Sequence, residues 1–293
     1  MPIRVGVVGA GPWASLVHAP VFAHSPHTDL VGVWARRPEA ARDLAEKHGA
    51  RAYDDADALF DACDAVAFAV PPDVQADLAA RAARAGKHLL LEKPIALGLP
   101  EAEALAAAID DAGVRSMVVL SNRYSSTVRS WLDEASTFGA FGGRGLFVSG
   151  AFLGGMFATP WRLERGPLLD LGPHVIDLLD AALGCVTSVA AAGDLRTWVS
   201  LLLTHDGGAV SDVSLCASSA VEQHRSEVEL YGTRGALPLD CTTATGPEAF
   251  ATLAAELASM VESGEPHPLD VHRGLHLQRI IGDAEAQLSD RSS

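Results

Sequence analysis

Residues 166 to 184 read GPLLDLGPHVIDLLDAALG, a leucine-rich stretch that carries Asp170, His174 and Asp177 at spacings of four and three. On a helix those spacings stack the side chains one above another, so a carboxylate, an imidazole and a second carboxylate share one stripe. Such a stripe faces either water or a ligand. An imidazole titrates near neutral pH and is suited to passing a proton to or from an oxygen atom, which makes His174 the candidate acid/base. Asp170, one turn earlier, either fixes the ring or hydrogen-bonds a substrate hydroxyl. Its bland alternative is a first-turn carboxylate favoured by the helix dipole. Asp177 continues the stripe, and a solvated helix face is the reading preferred for it over orienting His174.

A second chemical signal opens the chain. In VVGAGPWA, residues 7 to 14, Gly9, Gly11 and Ala14 take the G-x-G-x-x-G/A arrangement, with Pro12 and Trp13 inside the turn. The first glycine permits a tight turn, the second lets backbone approach a pyrophosphate, and the small third residue lets a helix pack closely on a strand. The next strand ends in WARRPEA, where Ala35 occupies the place of the carboxylate that would hold a ribose 2′-hydroxyl. Arg36 and Arg37 follow as planar donors for a 2′-phosphate. NADP(H) is therefore favoured over NAD(H), with Glu39 as the group that would serve NAD in the alternative. Val70, Pro71 and Pro72 end the next long apolar run and force a turn at the sheet edge where ligands bind in this architecture.

The composition excludes several classes. Lysine and arginine number 22 against 37 acidic residues in 293, a formal charge of −15, which disfavours a nucleic-acid partner. No run of about 18 apolar residues occurs, and MPIRVGVVGAG lacks a cleavage signal, so the expectation is a soluble cytoplasmic protein. Cys63, Cys185, Cys216 and Cys241 are scattered without metal-ligand spacing, so no metal is expected and the thiols read as reduced and structural.

These residues need a scaffold, and its pattern is legible. IRVGVVG, DLVGVWA, DAVAFAV, HLLLEKP and RSMVVLS read as strands separated by helices over 12–25, 38–48, 74–85 and 100–112. Strand–helix alternation predicts an α/β fold, here an N-terminal Rossmann domain with a doubly wound parallel sheet, residues 1–122. Residues 123–293 predict an α+β domain for substrate binding and oligomerisation. A helix at 128–137 and a strand in RGLFVSGAFL lead to the opening helix. Then come VTSVAAAG, TWVSLLLTH, AVSDVSLCASS and EVELYG as an open, mostly antiparallel sheet, and helices over 247–263 and 272–287.

LLEKPIAL, residues 90–97, ends the fifth strand in Glu92-Lys93-Pro94. With this motif the chain resembles the glucose-fructose oxidoreductase, inositol dehydrogenase and rhizopine-catabolism (Gfo/Idh/MocA) family of NAD(P)-dependent oxidoreductases. The glycine fingerprint, AVPPDVQADLAARAARAGKHLLLEKPIA, LLDLGPHVIDLL and EVELYGTRGALPLD follow the family's order and spacing. The resemblance implies that Lys93 contacts both nicotinamide ribose and substrate, that Glu92 lies in the cofactor site, and that Asp170 and His174 complete a site facing the substrate. It implies hydride transfer at a secondary alcohol or ketone of a sugar, polyol or sugar-like metabolite, with Lys93 placing positive charge where an alkoxide develops. Arg123, Tyr124, Trp161 and Arg162 are candidate substrate contacts. A homodimer or homotetramer is expected, since the open sheet needs its outer face covered. Two departures stand out. Gly166 and Pro167 replace a glycine-rich run before Asp170, and Gln75 stands where many relatives have histidine. The alternatives are a dihydrodiol- or biliverdin-reductase-like activity on a less hydroxylated ring, and a non-catalytic dinucleotide-binding regulator.

Overall fold

The computed structural model describes residues 1–290, which pack as two compact units. The first comprises Met1–Val119 and Phe250–His276. Its six-stranded parallel sheet runs in the order β3-β2-β1-β4-β5-β6, from β1 (Ile3–Val8), β2 (Thr28–Trp34), β3 (Arg51–Tyr53), β4 (Ala65–Phe68), β5 (His88–Leu91) and β6 (Ser116–Val118). The central strands β1 and β4 are near-continuous apolar runs, as burial on both faces of a parallel sheet demands. Helices α1 (Ala19–His24), α2 (Pro38–Lys47), α3 (Ala56–Ala62), α4 (Pro72–Arg84) and α5 (Leu99–Ala112) alternate with them. A proline in the first turn of α2, α4 and α5 fixes φ where an N–H has no helical partner to lose.

β3 and α3 have no counterpart in the expected element list. β3 is three residues at the sheet edge, none of them fully buried, so it carries no apolar period to detect.

The first unit also recruits chain from beyond residue 122. α9 (Pro247–Ser263) buries Leu253, Ala254 and Leu257, and the Val118 N–H donates to Leu269 O at 2.7 Å. At the start of α10 (Val271–Asp290), the Val271 N–H donates to Ser116 Oγ at 3.0 Å. A single cut near Asn122 therefore does not describe the packing units, because the chain returns to the first sheet after leaving it.

The second unit comprises Leu120–Ala249 with the chain from Leu277 onward. A 3-10 turn (Ser121–Tyr124) and α6 (Ser126–Phe138) precede β7 (Ala140–Val148), α7 (Pro160–Leu183), β8 (Val186–Gly193), β9 (Trp198–His205), β10 (Val210–Cys216), β11 (Arg225–Gly232), β12 (Gly235–Asp240) and α8 (Cys241–Ala244). The sheet order is β12-β11-β7-β10-β9-β8, antiparallel throughout except that β7 pairs parallel with β10. β7 reaches β10 through α7 and two further strands, the long kind of connection that parallel pairing requires.

α7 lies close against this sheet because β7 places Gly143 and Gly145 beneath it. A Cβ at Gly145 would stand 2.2 Å from Val175 Cγ1, and one at Gly143 would stand 3.1 Å from Leu179 and Leu183. The leucines of α7 fill that contact. Leu168, Leu169, Ile176, Leu178 and Leu179 are at most 1% exposed, each stabilising by roughly 1.5–3 kcal/mol relative to exposure. Among the described residues no helix is long and apolar enough to cross a membrane, and no cluster of three His, Cys, Asp or Glu could hold a metal ion. All four cysteines are free, and burial pushes the Cys63 and Cys241 thiols up to about 11.

Candidate active site

In the first unit the glycine turn is wedged between the ends of two strands. Gly9 has φ 121°, its N–H donates to Trp34 O at 2.8 Å, and a Cβ there would lie 2.3 Å from Ala69 O. Only glycine satisfies both the conformation and the approach. At Gly11 the situation reverses: a Cβ would meet nothing within 4 Å, so the backbone stands open to a ligand. Ala14, the small third position, is fully buried. This combination of a tight first glycine, an open second and a buried small third fits a dinucleotide. Val70 abuts Gly9, while Pro71 O accepts the N–H groups of Val74 and Gln75 at 3.0 and 2.9 Å as Pro72 opens α4.

Beyond β2, Ala35 is half-buried and Arg36 and Arg37 are exposed. The carboxylate of Glu39 is paired with Arg42 at 3.2 Å.

The helix after the glycine turn starts with π-helical winding over Ala14–His18 before continuing as α1. On an α-helix, residues five apart point roughly 140° away from each other; i→i+5 winding brings them back onto one side. Trp13 and His18 are such a pair, and both rings reach one carboxylate oxygen. Trp13 Nε1 donates to Glu92 Oε1 at 2.6 Å, and His18 Nε2 lies 2.8 Å from the same atom. An ionised carboxylate only accepts, so it selects the His18 tautomer that carries its proton on Nε2.

Behind Glu92 stands Gln75, fully buried. Its Nε2 donates to Glu92 O at 2.8 Å and Ile95 O at 3.2 Å, and its Oε1 accepts the Glu92 N–H at 2.8 Å. Gln75 thus fastens the backbone around Lys93, whose peptide bond to Pro94 is cis. Trp13 and Glu92, read separately from the sequence, meet directly. His18 went unnoticed, because an i, i+5 relation to Trp13 gives no signal on the assumption of an α-helix.

In the second unit α7 is two helical segments joined at Gly166, where φ is 76° and ψ −173°. A Cβ at Gly166 would lie 1.6 Å from Leu195 O. On an unbroken helix Arg162 and Asp170 would stand about 12 Å apart along the axis. Across the break, Arg162 Nε donates to Asp170 Oδ2 at 3.0 Å and its guanidinium also donates to Thr159 Oγ1 at 3.3 Å. The same guanidinium carbon lies 4.6 Å from the Trp161 ring centroid and 5.6 Å from that of Phe157. Further along, Arg123 donates to both carboxylate oxygens of Asp177 at 3.1 and 3.2 Å.

The stripe therefore does not face water. Asp170 is 5% exposed and Asp177 1%, which overturns the solvated face expected for Asp177. Burial of a carboxylate demands a charged or hydrogen-bonding partner, and Arg123 and Arg162 fill that role. His174 lies between the two carboxylates, half-buried, with its ring centroid 6.4 Å from that of Phe147. Tyr124 departs from the expectation of a substrate contact, being a core side chain at 1% exposure. The strand expected over RGLFVSGAFL ends at Val148, and the segment between it and α7 exposes Leu153, Met156 and Phe157.

Comparisons with known proteins agree with this fold. The model of the oxidoreductase family with an NAD-binding Rossmann fold matches residues 3–120, and the GFO/IDH/MocA C-terminal domain matches residues 141–238. The chain is 34% identical over 209 residues to dTDP-3,4-didehydro-2,6-dideoxy-α-D-glucose 3-reductase of Streptomyces violaceoruber, covering 65% of this chain and 57% of that protein. It is 30% identical over 230 residues to levoglucosan dehydrogenase of Pseudarthrobacter phenanthrenivorans, covering 71% of this chain and 57% of that one. The chain thus spans little more than half the length of these curated relatives. Among solved structures, GenD2 from gentamicin A biosynthesis, in complex with NAD, superposes with a TM-score of 0.88 over 99% of this chain and 95% of that one at 23% identity, a likeness of fold.

Proposed function

The chain belongs to the GFO/IDH/MocA family of oxidoreductases, and from that premise we propose that it is an NADP(H)-dependent enzyme acting on a secondary alcohol or ketone of a sugar or polyol. The observation that carries this reading is the buried Asp170 held by Arg162 one turn before His174, in a chain whose first β-α turn stands open at Gly11. The relatives support the substrate class, since one is named for a nucleotide-linked deoxy sugar and another for levoglucosan.

A bound nicotinamide dinucleotide would supply the centre that gives or takes hydride. Gly9, Gly11, Pro12, Trp13 and Ala14 are assigned to its pyrophosphate side, Ala35, Arg36 and Arg37 to its adenosine ribose, and Val70, Pro71, Pro72, Glu92 and Lys93 to the remainder. His174 moves the proton at the substrate oxygen, because an imidazole can both hold and release one. Lys93 carries the positive charge that lowers the cost of negative charge developing on that oxygen. Asp170 accepts a hydrogen bond from a substrate hydroxyl.

NADP preference rests on the exposed Arg36 and Arg37, with alanine rather than a carboxylate before them and Glu39 engaged by Arg42. Titration of cofactor-stripped protein with NADPH and NADH, followed by nucleotide fluorescence, tests it. Tighter NADPH binding that is lost when both arginines are replaced supports the assignment, and a preference for NADH overturns it. With the preferred nucleotide, myo-inositol, levoglucosan, methyl α-D-glucoside and glucose 6-phosphate are assayed for turnover. Lys93→Met, Asp170→Asn and His174→Ala should each lower turnover by about 10²–10⁴-fold, with nucleotide binding retained in the two α7 variants. Wild-type turnover in all three would refute the assigned roles.

A second reading, a dihydrodiol- or biliverdin-reductase-like reaction on a less hydroxylated ring, draws support from the exposed Leu153, Met156 and Phe157. It predicts that an aryl dihydrodiol outperforms every sugar of the panel. A homodimer or homotetramer is supported by Trp198, Leu202 and Val210, exposed on the outer side of the second sheet, and light scattering on the eluting protein tests it.

A further inference from the structure

Arg162 is a candidate substrate contact on sequence grounds, yet its guanidinium already has three kinds of neighbour. One is a carboxylate at 3.0 Å, one a threonine hydroxyl at 3.3 Å, and the third a pair of aromatic rings at 4.6 and 5.6 Å. A cation is attracted over the face of an aromatic ring, so the two rings restrict where the planar fork can lie. Asp170 in turn is 5% exposed and would be destabilising as a buried, uncompensated charge. The sequence separation of eight is bridged only because the chain breaks at Gly166, a conformation an L side chain rarely adopts. Break, fork and aromatic rings converge on one carboxylate.

We propose that Arg162 is a positioning residue for the reaction: it holds Asp170 in one orientation, and the rings of Phe157 and Trp161 hold Arg162. This rests on the reading of Asp170 as the group that binds a substrate hydroxyl. A hydroxyl bound by a carboxylate in a single orientation presents its carbon in a single way, and a misplacement of about 1 Å can cost on the order of 100-fold in rate. Arg162 then affects turnover through Asp170 and contributes no separate contact of its own.

The test has a spectroscopic arm and a kinetic arm. In ¹⁵N–¹H spectra of the intact protein at pH 7, Arg162 should give a guanidinium Nε–H signal protected from exchange, identified by its absence in Arg162→Lys. Asp170→Asn should remove that protection, and loss of the signal in both variants supports the proposal. A signal that is unprotected in the wild type, or unchanged in Asp170→Asn, overturns it.

In the kinetic arm, the sugar of the panel that turns over fastest is used with the preferred nucleotide. Arg162→Met should lower kcat by about 10- to 100-fold with KM within about twofold. On an Asp170→Asn background the same change should cost less than about twofold. Arg162→Lys keeps the charge without the fork and should recover part of the loss; it also stands in if the methionine variant fails to fold. Multiplicative losses in the double variant would overturn the proposal while leaving the function assigned to Asp170 intact. Full turnover in Asp170→Asn would instead refute that function, whatever Arg162 does.

Discussion

Gly166→Ala isolates the break in α7. The native residue has φ 76° and ψ −173°, a region occupied almost only by glycine, so alanine there costs about 1–3 kcal/mol in backbone strain. The new Cβ would also start 1.6 Å from Leu195 O. That carbonyl cannot withdraw freely, since it sits in a turn closed by Asp194 N–H to Trp198 O at 2.8 Å and Arg196 N–H to Asp194 Oδ1 at 2.8 Å. Alanine reduces the freedom of the unfolded chain, which offsets about 0.4–1 kcal/mol. With about 1–3 kcal/mol added by overpacking against that carbonyl, the expected net destabilisation is about 2–4 kcal/mol, or a melting temperature lower by roughly 5–15 °C at about 2–4 °C per kcal/mol. Gly113→Ala is the control: φ is 65° and a Cβ there would meet nothing within 4 Å, so strain of about 1 kcal/mol acts alone. Thermal unfolding followed by circular dichroism compares the two. Equal shifts would refute the reasoning, because they would show that the approach of Leu195 imposes nothing.

Glu92 supplies a second measurement. Glu92→Leu strands the indole N–H of Trp13 and the ring N–H of the buried His18, at about 1–3 kcal/mol each, whereas Glu92→Gln keeps an acceptor and should lose less. Urea unfolding that fails to separate the two variants would contradict the assigned bonds. His88 supplies a pH dependence. Burial, with the charge of Arg115 adding to it, holds its pKa below the usual value, and its Nδ1 accepts the Arg115 N–H at 3.0 Å. The unfolded chain therefore takes up this proton more readily. The stability is fully present above about pH 6.5 and is lost as pH falls from there toward the folded pKa. Melting temperatures between pH 7.5 and 5 should show that decline, and His88→Asn should flatten it; an identical slope in the variant would rule out His88 as its source. Finally, Arg123 and Arg162 each already face an aspartate, so neither is poised for a phosphate. Neutral sugars should therefore exceed glucose 6-phosphate in kcat/KM, and a preference for the phosphorylated sugar would show that an arginine leaves its carboxylate for the ligand.

Periodicity exposes what a segment repeats and is silent about what faces it. The strands of the first sheet, Gly9, Gly11 and Ala14, and the stripe on α7 are local patterns of period or spacing, and the structure places them on the elements expected. Asp177 was misread for the same reason. A carboxylate at helical spacing looks solvated unless its partner is known, and Arg123 lies 54 positions away. His18 gives no such pattern because π winding replaces the α-helical period. β3 escaped because three residues hold no period at all. The return of α9 to the first unit is a tertiary fact, invisible to a reading that divides the chain where its texture changes.

The glycines connect these observations. Gly143 and Gly145 let α7 press onto β7, fixing the height and rotation of the stripe, and Gly166 turns the start of the helix back so that Arg162 reaches Asp170. None of the three carries a side chain that could do chemistry, yet each determines where a side chain that does will stand. One residue in the glycine-only region supplies the break, and packing on two more supplies the seat. Around that break the Arg162 fork and its two aromatic neighbours add side-chain constraint.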